Sequence, residues 1–433
     1  MTDQELDLAV EIKRTQPDYV VYRPKSTSGE ETRDGGNEHF LVFDGPDGSL
    51  MAVWTQSTTE GFGDHRIMFA RSDDAGVTWT EPMILAGTWD KDSGHELQAS
   101  WGFPLVSRSG RIYVLWNQYR GKDKIDFHHQ MTGTMDGRFS DDNGKTWSEP
   151  ETVPMPRSIY DHPDPEMPGN WIVWQRPDRI AGEKYLVGYT RWVSPERRRP
   201  LDTFPDGRNR GWSTDSLIEF MRFDNVDEDP AVKDLAISWF AWGEKALKVP
   251  YFRDPLNVVA QEPSIVRLPD ERLFCVMRTM TGYIWYSLSE DRGETWCSPR
   301  PMLRKDHGAV IEEPICCCPI YPLAEEGRYF LINHLRKDRL EYDDCTNNRW
   351  PVYVALGEFR PDAEQPVWFS ESKQLMTHDG VGLGPRRRTD LGVYPSVTHR
   401  DGRTVLWHPD RKFFLLGKEI TPEILSGLTV PRT

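Results

Sequence analysis

The sequence predicts an all-β chain in which all 433 residues form a single β-propeller domain of four-stranded blades. Two internal repeats lead to this prediction: a short turn motif that occurs three times, and a longer strand-forming unit that occurs six times. The starts of the six units lie 56 to 88 residues apart. Each interval therefore holds about four short strands, which is one propeller blade.

The short motif reads S-x-D-x-G-x-T-W and is followed three residues later by proline. Its copies occupy residues 72–82, 140–150 and 289–299. The aspartate is suited to accept hydrogen bonds from nearby backbone N–H groups and so to close a tight turn. The glycine permits a positive φ, and the tryptophan is expected to pack beneath the turn. The motif therefore predicts scaffold turns rather than catalytic carboxylates.

The longer unit is a polar turn followed by a hydrophobic strand. Its six copies occupy residues 47–54, 109–116, 182–189, 270–277, 326–333 and 401–408. The segment VVYRPK at 20–25 is a candidate to complete the last blade and close the ring. Because the intervals are uneven, a seventh blade is also allowed, and 192–263 is where we would expect it.

The composition excludes several classes of function. With 53 basic and 68 acidic residues the net charge is −15, which argues against a nucleic-acid partner. No apolar run approaches the roughly 18 residues that a membrane helix needs, so we expect no membrane partner. An anionic ligand would need a local cluster of arginines to overcome the long-range repulsion. The composition leaves the oligomeric state open.

The N-terminal segment and the cysteines both predict a cytoplasmic protein. The first twenty residues contain neither a basic region nor an apolar region of the kind that starts a secretory signal. Three of the six cysteines are adjacent, at Cys316, Cys317 and Cys318, and adjacent residues rarely satisfy disulfide geometry. There is no CxxC pair, so the sequence predicts no metal site, and it indicates no cofactor.

Candidate site residues are the polar side chains of strands that would face the central funnel. His39 precedes the apolar run of the first unit, and the alternative is a core histidine. Of the pair His128 and His129, only one can face the funnel, because neighbours in a strand point to opposite faces. We favour His129 as a general acid or base. The alternative is an exposed hairpin.

Arginines accompany tyrosine or glutamate at three further positions. Tyr189 and Arg191 share a strand face, where the arginine could hold a carboxylate while the phenol transfers a proton; the alternative is a rim cation–π pair with Trp192. A hairpin would place Glu262 beside Arg278, whose planar guanidinium matches a carboxylate. The alternative is a buried ion pair.

An arginine-rich loop precedes the last unit. The segment GPRRRTDLGVYPS contains Arg386, Arg387 and Arg388, followed by Tyr394. Three arginines bounded by glycines form a concentrated site for an anion, and the alternative is a solvated basic loop. Together, Arg191, Arg278 and Arg388 come from different units. Their convergence on an acidic protein predicts an anionic ligand, and the predicted propeller fold makes an acidic oligosaccharide the expected partner.

The repeated turn resembles the Asp box of sialidases, and EPSIVRLPDERLFCVMRT resembles their central segment. In that family a glutamate precedes an arginine of the carboxylate-binding triad, which matches Glu262 and Arg278. The N-terminal F/Y-R-I-P motif of sialidases is approached only by Tyr22-Arg23-Pro24. The resemblance allows Tyr394 as a nucleophile with Glu262 as its partner, which implies a retaining, exo-sialidase-like glycoside hydrolase.

The chain also resembles the rhamnosyl-glucuronate lyase (rhamnosidase) branch of the same superfamily, through NEHFLVF, QASWGFPLVSRSGRIYVLW, FHHQMTG, GNWIVWQRP and GYTRW. This resemblance implies β-elimination at a uronate, without a metal. His129 or Tyr189 would remove the C5 proton while Arg278 and Arg388 stabilise the developing charge; Trp174 is the other candidate for the tyrosine position. We take elimination as the first hypothesis, retaining hydrolysis as the second and a non-catalytic glycan-binding propeller as the third.

Overall fold

Six antiparallel sheets follow one another along the chain, and each is one blade of a propeller. The structure, a computed structural model, describes residues 6–87, 98–120, 132–181, 183–197, 215–252, 254–335 and 349–432. Blade 1 contains β2 (Gly36–Asp44), β3 (Leu50–Ser57), β4 (Arg66–Ser72) and β5 (Met83–Gly87). Blade 2 contains β6 (Ala99–Val106), β7 (Ile112–Tyr119), β8 (Gly133–Ser140) and β9 (Glu151–Val153).

Blades 3 and 4 enclose the longest interval between repeats. Blade 3 contains β10 (Asn170–Ile172), β11 (Asp178–Ala181), β12 (Lys184–Trp192), β13 (Ser216–Phe223) and β14 (Ile237–Phe240). A two-stranded ribbon of β15 (Pro250–Tyr251) and β16 (Asp254–Val258) follows. Blade 4 contains β17 (Ala260–Arg267), β18 (Leu273–Thr279), β19 (Trp285–Ser289) and β20 (Arg300–Pro301).

The last two blades complete the ring. Blade 5 contains β21 (Ile320–Pro322), β22 (Arg328–Asn333), β23 (Val352–Phe359), β24 (Val367–Phe369) and β25 (Lys373–Met376). Blade 6 contains β26 (Ser396–Arg400), β27 (Arg403–Asp410) and β28 (Phe414–Glu419), and its outer strand is the N-terminal β1 (Tyr19–Tyr22). In the described part of the chain, the remaining elements are two one-turn α-helices and three 3₁₀ helices, at Leu8–Glu11, Pro422–Leu425, Val226–Glu228, Val232–Asp234 and Gly243–Lys245.

The predicted fold class is confirmed, and the blade number is six. Each strand-forming unit recognised in the sequence overlaps the second strand of a blade, and β1 closes the ring by pairing with β28 at Tyr19 and Gly417. The seventh blade that the spacing allowed is absent from the described residues. The long interval contributes β13, β14, 3₁₀ turns and the two-stranded ribbon to blade 3 and its neighbourhood.

The hydrophobic core is divided among the six gaps between blades. One buried cluster fills each gap, from blade 1 against blade 2 round to blade 6 against blade 1. Every blade is therefore apolar on both faces, which is why strands such as β3 are buried along their whole length. Among the described residues, no helix is long and apolar enough to cross a membrane.

The Asp-box turns connect the third and fourth strands of blades 1, 2 and 4. In the first copy, Asp74 accepts hydrogen bonds from the Thr78 backbone N–H (2.8 Å) and hydroxyl (2.6 Å). Gly76 has a φ of +95°, and a Cβ there would lie 2.6 Å from Trp407 in blade 6. The motif glycine therefore allows both the turn and the close approach of the neighbouring blade.

Candidate functional site

The inner strands of three blades carry the same distortion. The pairing register shifts in β2 between Glu38 and Leu41, and equivalent shifts interrupt β6 and β17. A β-bulge of this kind bends the strand and redirects a side chain. One non-glycine residue in each bulge is left-handed: His39 (φ +51°), Trp101 (+56°) and Glu262 (+52°). Tyr394, just before β26, has the same conformation (φ +52°).

These four residues, which we call the funnel quartet, meet although they come from blades 1, 2, 4 and 6. The His39 and Tyr394 rings stack with centroids 4.3 Å apart and planes 15° apart. Trp101 lies edge-on to His39 at 5.6 Å. The Tyr394 hydroxyl donates a hydrogen bond to Glu262 Oε1 over 3.0 Å. Strained backbone conformations cost about 1–3 kcal/mol each and cluster at functional sites.

Arg278 holds the glutamate of the quartet in place. Its Nη1 donates to Glu262 Oε1 over 2.5 Å, between adjacent strands β17 and β18 as the hairpin prediction required. Both side chains are buried. Burial opposes the charge of Arg278, but the Glu262 carboxylate outweighs it and raises the Arg278 pKa. Burial, reinforced by the nearby Glu262, raises the Tyr394 pKa well above its ordinary value, so the phenol keeps its proton.

Next to the quartet, acidic and basic side chains alternate in a charged row. Lys412 Nζ contacts Glu38 (2.9 Å) and Glu60 (2.7 Å), and lies 5.1 Å from the centre of the Tyr394 ring. The row continues from Glu60 to Arg388, from Arg388 to Asp390 (3.5 Å), and from Asp390 to Arg349 (3.2 Å). Arg349 acts electrostatically on both Arg278 and Tyr394.

The two glutamates that share Lys412 differ in acidity. Burial and the neighbouring Glu60 raise the pKa of Glu38 to about 7. For Glu60, burial is outweighed by Lys412 and Arg388, which hold its pKa well below the ordinary value. Two carboxyl groups whose pKa values are pushed apart are suited to a general acid beside a permanently charged group.

Several buried polar atoms around the quartet have no hydrogen-bond partner within the described part of the chain. They are both ring nitrogens of His39, Glu262 Oε2, Arg278 Nε, and the indole N–H groups of Trp101 and Trp174. Buried polar groups are normally satisfied, so each exception needs an explanation. Burial, then the charge of Lys412, lowers the His39 pKa, so this ring is neutral. The unsatisfied donors and acceptors match a polar ligand.

The structure brings together four of the predicted site residues: His39, Glu262, Arg278 and Tyr394. Arg388 reaches them through the charged row. His129, with His128, lies outside the described residues. Of the other residues considered in the sequence, Trp174 packs against Tyr394 (6.1 Å between ring centroids), whereas Arg23 and Arg386 are exposed.

Tyr189 and Arg191 lie in a different place, between blades 2 and 3. Tyr189 donates to Glu219 Oε2 (2.6 Å), and Arg191 binds Glu219 (2.6 Å) and Asp161 (2.7 Å). We call these four residues the blade-3 cluster. Arg191 also contacts Trp242 in a cation–π arrangement (5.0 Å) rather than the adjacent Trp192. Arg191 and Asp161 line a cavity of about 470 Å³.

Sequence reasoning did not select Trp101, Glu38, Lys412 or Arg349. A blade-to-blade alignment of inner strands would have found Trp101, because ASWGF occupies the position of NEHFL in the previous blade. Glu38 directly precedes His39, which the sequence did indicate as a candidate. Lys412 lies in the turn between β27 and β28 and Arg349 precedes β23, and neither carries a local motif.

These features define a class: a six-bladed propeller with a polar site where its inner strands meet. The sequence matches the BNR repeat-like domain over residues 48–312, more than half of the chain, and the chain therefore belongs to that family. The predicted sialidase-like superfamily is thus confirmed. None of the curated proteins matches the chain.

Solved structures agree on the fold. A protein of unknown function from Dyadobacter fermentans is 14% identical, with a TM-score of 0.57, and the match covers 93% of this chain and 97% of that one. The intramolecular trans-sialidase of Ruminococcus gnavus, in complex with oseltamivir carboxylate, is 13% identical with a TM-score of 0.60, and the match covers 96% of this chain and 100% of that one. The Trypanosoma rangeli sialidase, in complex with sialic acid, is 13% identical with a TM-score of 0.57, and the match covers 93% of this chain and 58% of that one.

Proposed function

We propose that this protein is a retaining glycosidase that cleaves a terminal acidic sugar, with Tyr394 as the nucleophile and Glu262 as its general base. The observation that carries the proposal is the hydrogen bond from the Tyr394 hydroxyl to Glu262 within the strained funnel quartet. A phenol with a raised pKa is a weak nucleophile until a positioned base accepts its proton. Glu262 is that base.

The choice of a phenol fits an anionic substrate. Most retaining glycosidases use a carboxylate nucleophile, and sialidases with tyrosine are a known exception. A neutral phenol can approach the anomeric carbon without repelling the carboxylate of an acidic sugar. Tyr394 Oη would bond to that carbon while its proton passes to Glu262. Water would then cleave the Tyr394–sugar bond and restore both groups.

Glu38 is the candidate acid and base for the leaving group. Its pKa of about 7 leaves a substantial protonated fraction near neutrality, and one oxygen, Oε1, has no partner among the described residues. Glu38 would donate its proton to the departing oxygen in the first step and accept one from water in the second. His39 Nδ1 lies 4.0 Å from Glu38 Oε2, so this acid is adjacent to the quartet.

The cations around Tyr394 would bind the substrate's carboxylate. Arg278 offers an Nε with no partner among the described residues, and Arg349 lies within its electrostatic reach. Two guanidinium groups that converge on one carboxylate would give both affinity and orientation. The solved trans-sialidase and sialidase with this fold are in complex with oseltamivir carboxylate and with sialic acid, which supports a substrate of that class.

Uronate elimination remains the second candidate. The stacking of neutral His39 on Tyr394 near Arg278 supports it, because elimination needs a proton-transfer pair beside a carboxylate clamp. Of the bases predicted for it, Tyr189 donates to Glu219 inside the blade-3 cluster, and His129 is outside the described residues. Glu262 favours hydrolysis, because it supplies the base that a tyrosine nucleophile requires.

A screen with mass detection tests the proposal. The full-length protein is incubated with sialosides, glucuronides and rhamnosyl-glucuronate oligosaccharides. Products that together gain the mass of one water, with retained anomeric configuration by NMR, are expected. Products without that gain, with new near-ultraviolet absorbance from an unsaturated uronate, would contradict it and support elimination. Binding of these sugars without turnover would support a non-catalytic propeller instead.

A further inference from the structure

A second group of chemically reactive side chains adjoins the funnel quartet, where Cys316 packs in one buried cluster with Tyr394, and has no direct part in the proposed reaction. Glu313, Cys316 and His334 are fully buried, and one potential ligand atom of each lies within 4.8 Å of the others. A carboxylate oxygen, a thiolate sulfur and an imidazole nitrogen together are the donor set of zinc and similar transition metals. Magnesium and calcium prefer oxygen ligands alone.

The imidazole is oriented for this role. His334 Nε2 lies 2.9 Å from the carbonyl oxygen of Leu391, which can only accept a hydrogen bond, so Nε2 carries the proton. Nδ1 then faces Glu313 Oε1, 3.3 Å away. Two such atoms at this distance hold either a proton or a metal cation between them.

The spacing suits a metal ion. Two ligands at the 2.0–2.2 Å typical of zinc, in tetrahedral geometry, are about 3.4 Å apart. The Nδ1–Oε1 distance of 3.3 Å agrees with this value, and exceeds the roughly 2.9–3.0 Å usual for a direct N–H···O bond. The other oxygen of Glu313 accepts the backbone N–H of His334 over 2.8 Å. Such outer contacts are what fix the orientation of metal ligands.

We propose that Glu313, Cys316 and His334 bind a zinc-class transition-metal ion. The site would position the nucleophile rather than touch the substrate. Cys317, next to the cysteine ligand, accepts the backbone N–H of Tyr394 through its sulfur (3.1 Å), and Leu391, three residues before Tyr394, anchors the histidine. Binding would displace to solvent the proton that the three side chains otherwise share.

Metal analysis of the full-length protein tests this proposal, independently of any activity. We expect about one zinc ion per chain after purification and dialysis. Replacing zinc by cobalt(II) should give a sulfur-to-cobalt charge-transfer band in the near ultraviolet. Cys316→Ser should abolish the band. Cys297→Ser, which removes a partly exposed thiol of blade 4, should retain it.

A folded wild-type protein that binds neither ion would overturn the proposal and leave a proton between Glu313 and His334. A band that survives in Cys316→Ser would also overturn it, since the sulfur would come from elsewhere. If Cys316→Ser does not fold, the same cobalt titration is made with His334→Gln. Cobalt binding should then be lost relative to the wild-type protein, and unchanged binding would overturn the proposal.

Discussion

Within the described residues, two buried Tyr–Glu–Arg groups are similar in chemistry but differ in how fully their polar atoms are hydrogen-bonded. In the blade-3 cluster the tyrosine, glutamate and arginine lie on regularly paired strands, with Tyr189 directly opposite Glu219. Each carboxylate oxygen of Glu219 has a partner: Oε2 accepts from Tyr189 and Arg191, and Oε1 from the Gly243 backbone N–H (3.0 Å). Asp161 is equally satisfied, through Arg191 and the Ser158 backbone N–H.

The second group is formed by the funnel quartet together with Arg278. Tyr394 and Glu262 have left-handed backbone conformations, and Glu262 Oε2, Arg278 Nε and both nitrogens of His39 have no partner among the described residues. The comparison shows that residue types alone do not identify a site. A satisfied, unstrained group stabilises the fold, whereas strain with unsatisfied polar atoms indicates a group arranged for a ligand.

The largest expected difference is between the two tyrosines. Tyr394→Phe removes the proposed nucleophile and should lower kcat/KM by at least about 10³-fold, at a stability cost no larger than that of Tyr189→Phe. Tyr189→Phe should leave kcat/KM within a few-fold and lower the free energy of unfolding by about 1–3 kcal/mol, because Glu219 loses a buried donor. Equal losses of activity in the two variants would remove the distinction between the groups.

Replacing Arg191 should cost more stability than replacing Arg278, whereas replacing Arg278 should cost more activity. Arg191→Met leaves two buried carboxylates without their cation and should cost about 3–5 kcal/mol in unfolding free energy. Arg278→Met breaks one ion pair, so its cost should be smaller, while kcat/KM falls by about 10²-fold through loss of the carboxylate clamp. Urea unfolding and steady-state kinetics measure the two effects. A Michaelis constant and kcat unchanged in Arg278→Met would exclude its role.

Glu38 provides a pH test. If it is the general acid, kcat/KM should fall as pH rises above about 7, and Glu38→Gln should lower the plateau about tenfold and remove that fall. Because its folded-state pKa is above the ordinary 4.5, stability is lost as pH rises from about 4.5 through 7. Unfolding of wild type should show this loss, by about 1–3 kcal/mol, relative to Glu38→Gln. If kcat/KM of wild type and of Glu38→Gln had the same pH profile, Glu38 would not be the general acid.

The smallest effect on activity is expected outside both groups. Gly76→Ala forces a positive φ on alanine and places its Cβ against Trp407, so stability should fall by about 1–3 kcal/mol. The kcat/KM value at a permissive temperature should not change, since this turn is at the outer strands of blade 1. If kcat/KM of Gly76→Ala had a different pH profile from wild type, destabilising the fold far from the site would by itself alter the site.

The fold was predictable because its repeats are local. The Asp box and the second strand of each blade are contiguous segments of sequence, and the hydrogen bonds that close the Asp box span only a few residues, as between Asp74 and Thr78. The blade number was less certain because the interval after β12 contains irregular turns that do not follow the repeat.

The site was partly predictable. Glu262 and Arg278 belong to one hairpin, so their proximity follows from local pairing. Tyr394 is separated from Glu262 by 132 residues, and their contact depends on a left-handed backbone at each residue, within the bulge of β17 for Glu262 and just before β26 for Tyr394. Tyr189 and Arg191 share a face as alternation predicts, but pattern could not show that Glu219 and Asp161 would satisfy them.

The central claim is that Tyr394 forms a covalent bond with the sugar, and trapping that bond tests it most directly. The protein is incubated with a fluorinated acidic glycosyl fluoride whose enzyme adduct breaks down slowly, followed by intact-mass measurement and peptide mapping. We expect a gain of one glycosyl unit on the peptide that contains Tyr394, and none in Tyr394→Phe. Turnover of natural substrate with no adduct, or an adduct on another residue, would contradict the account.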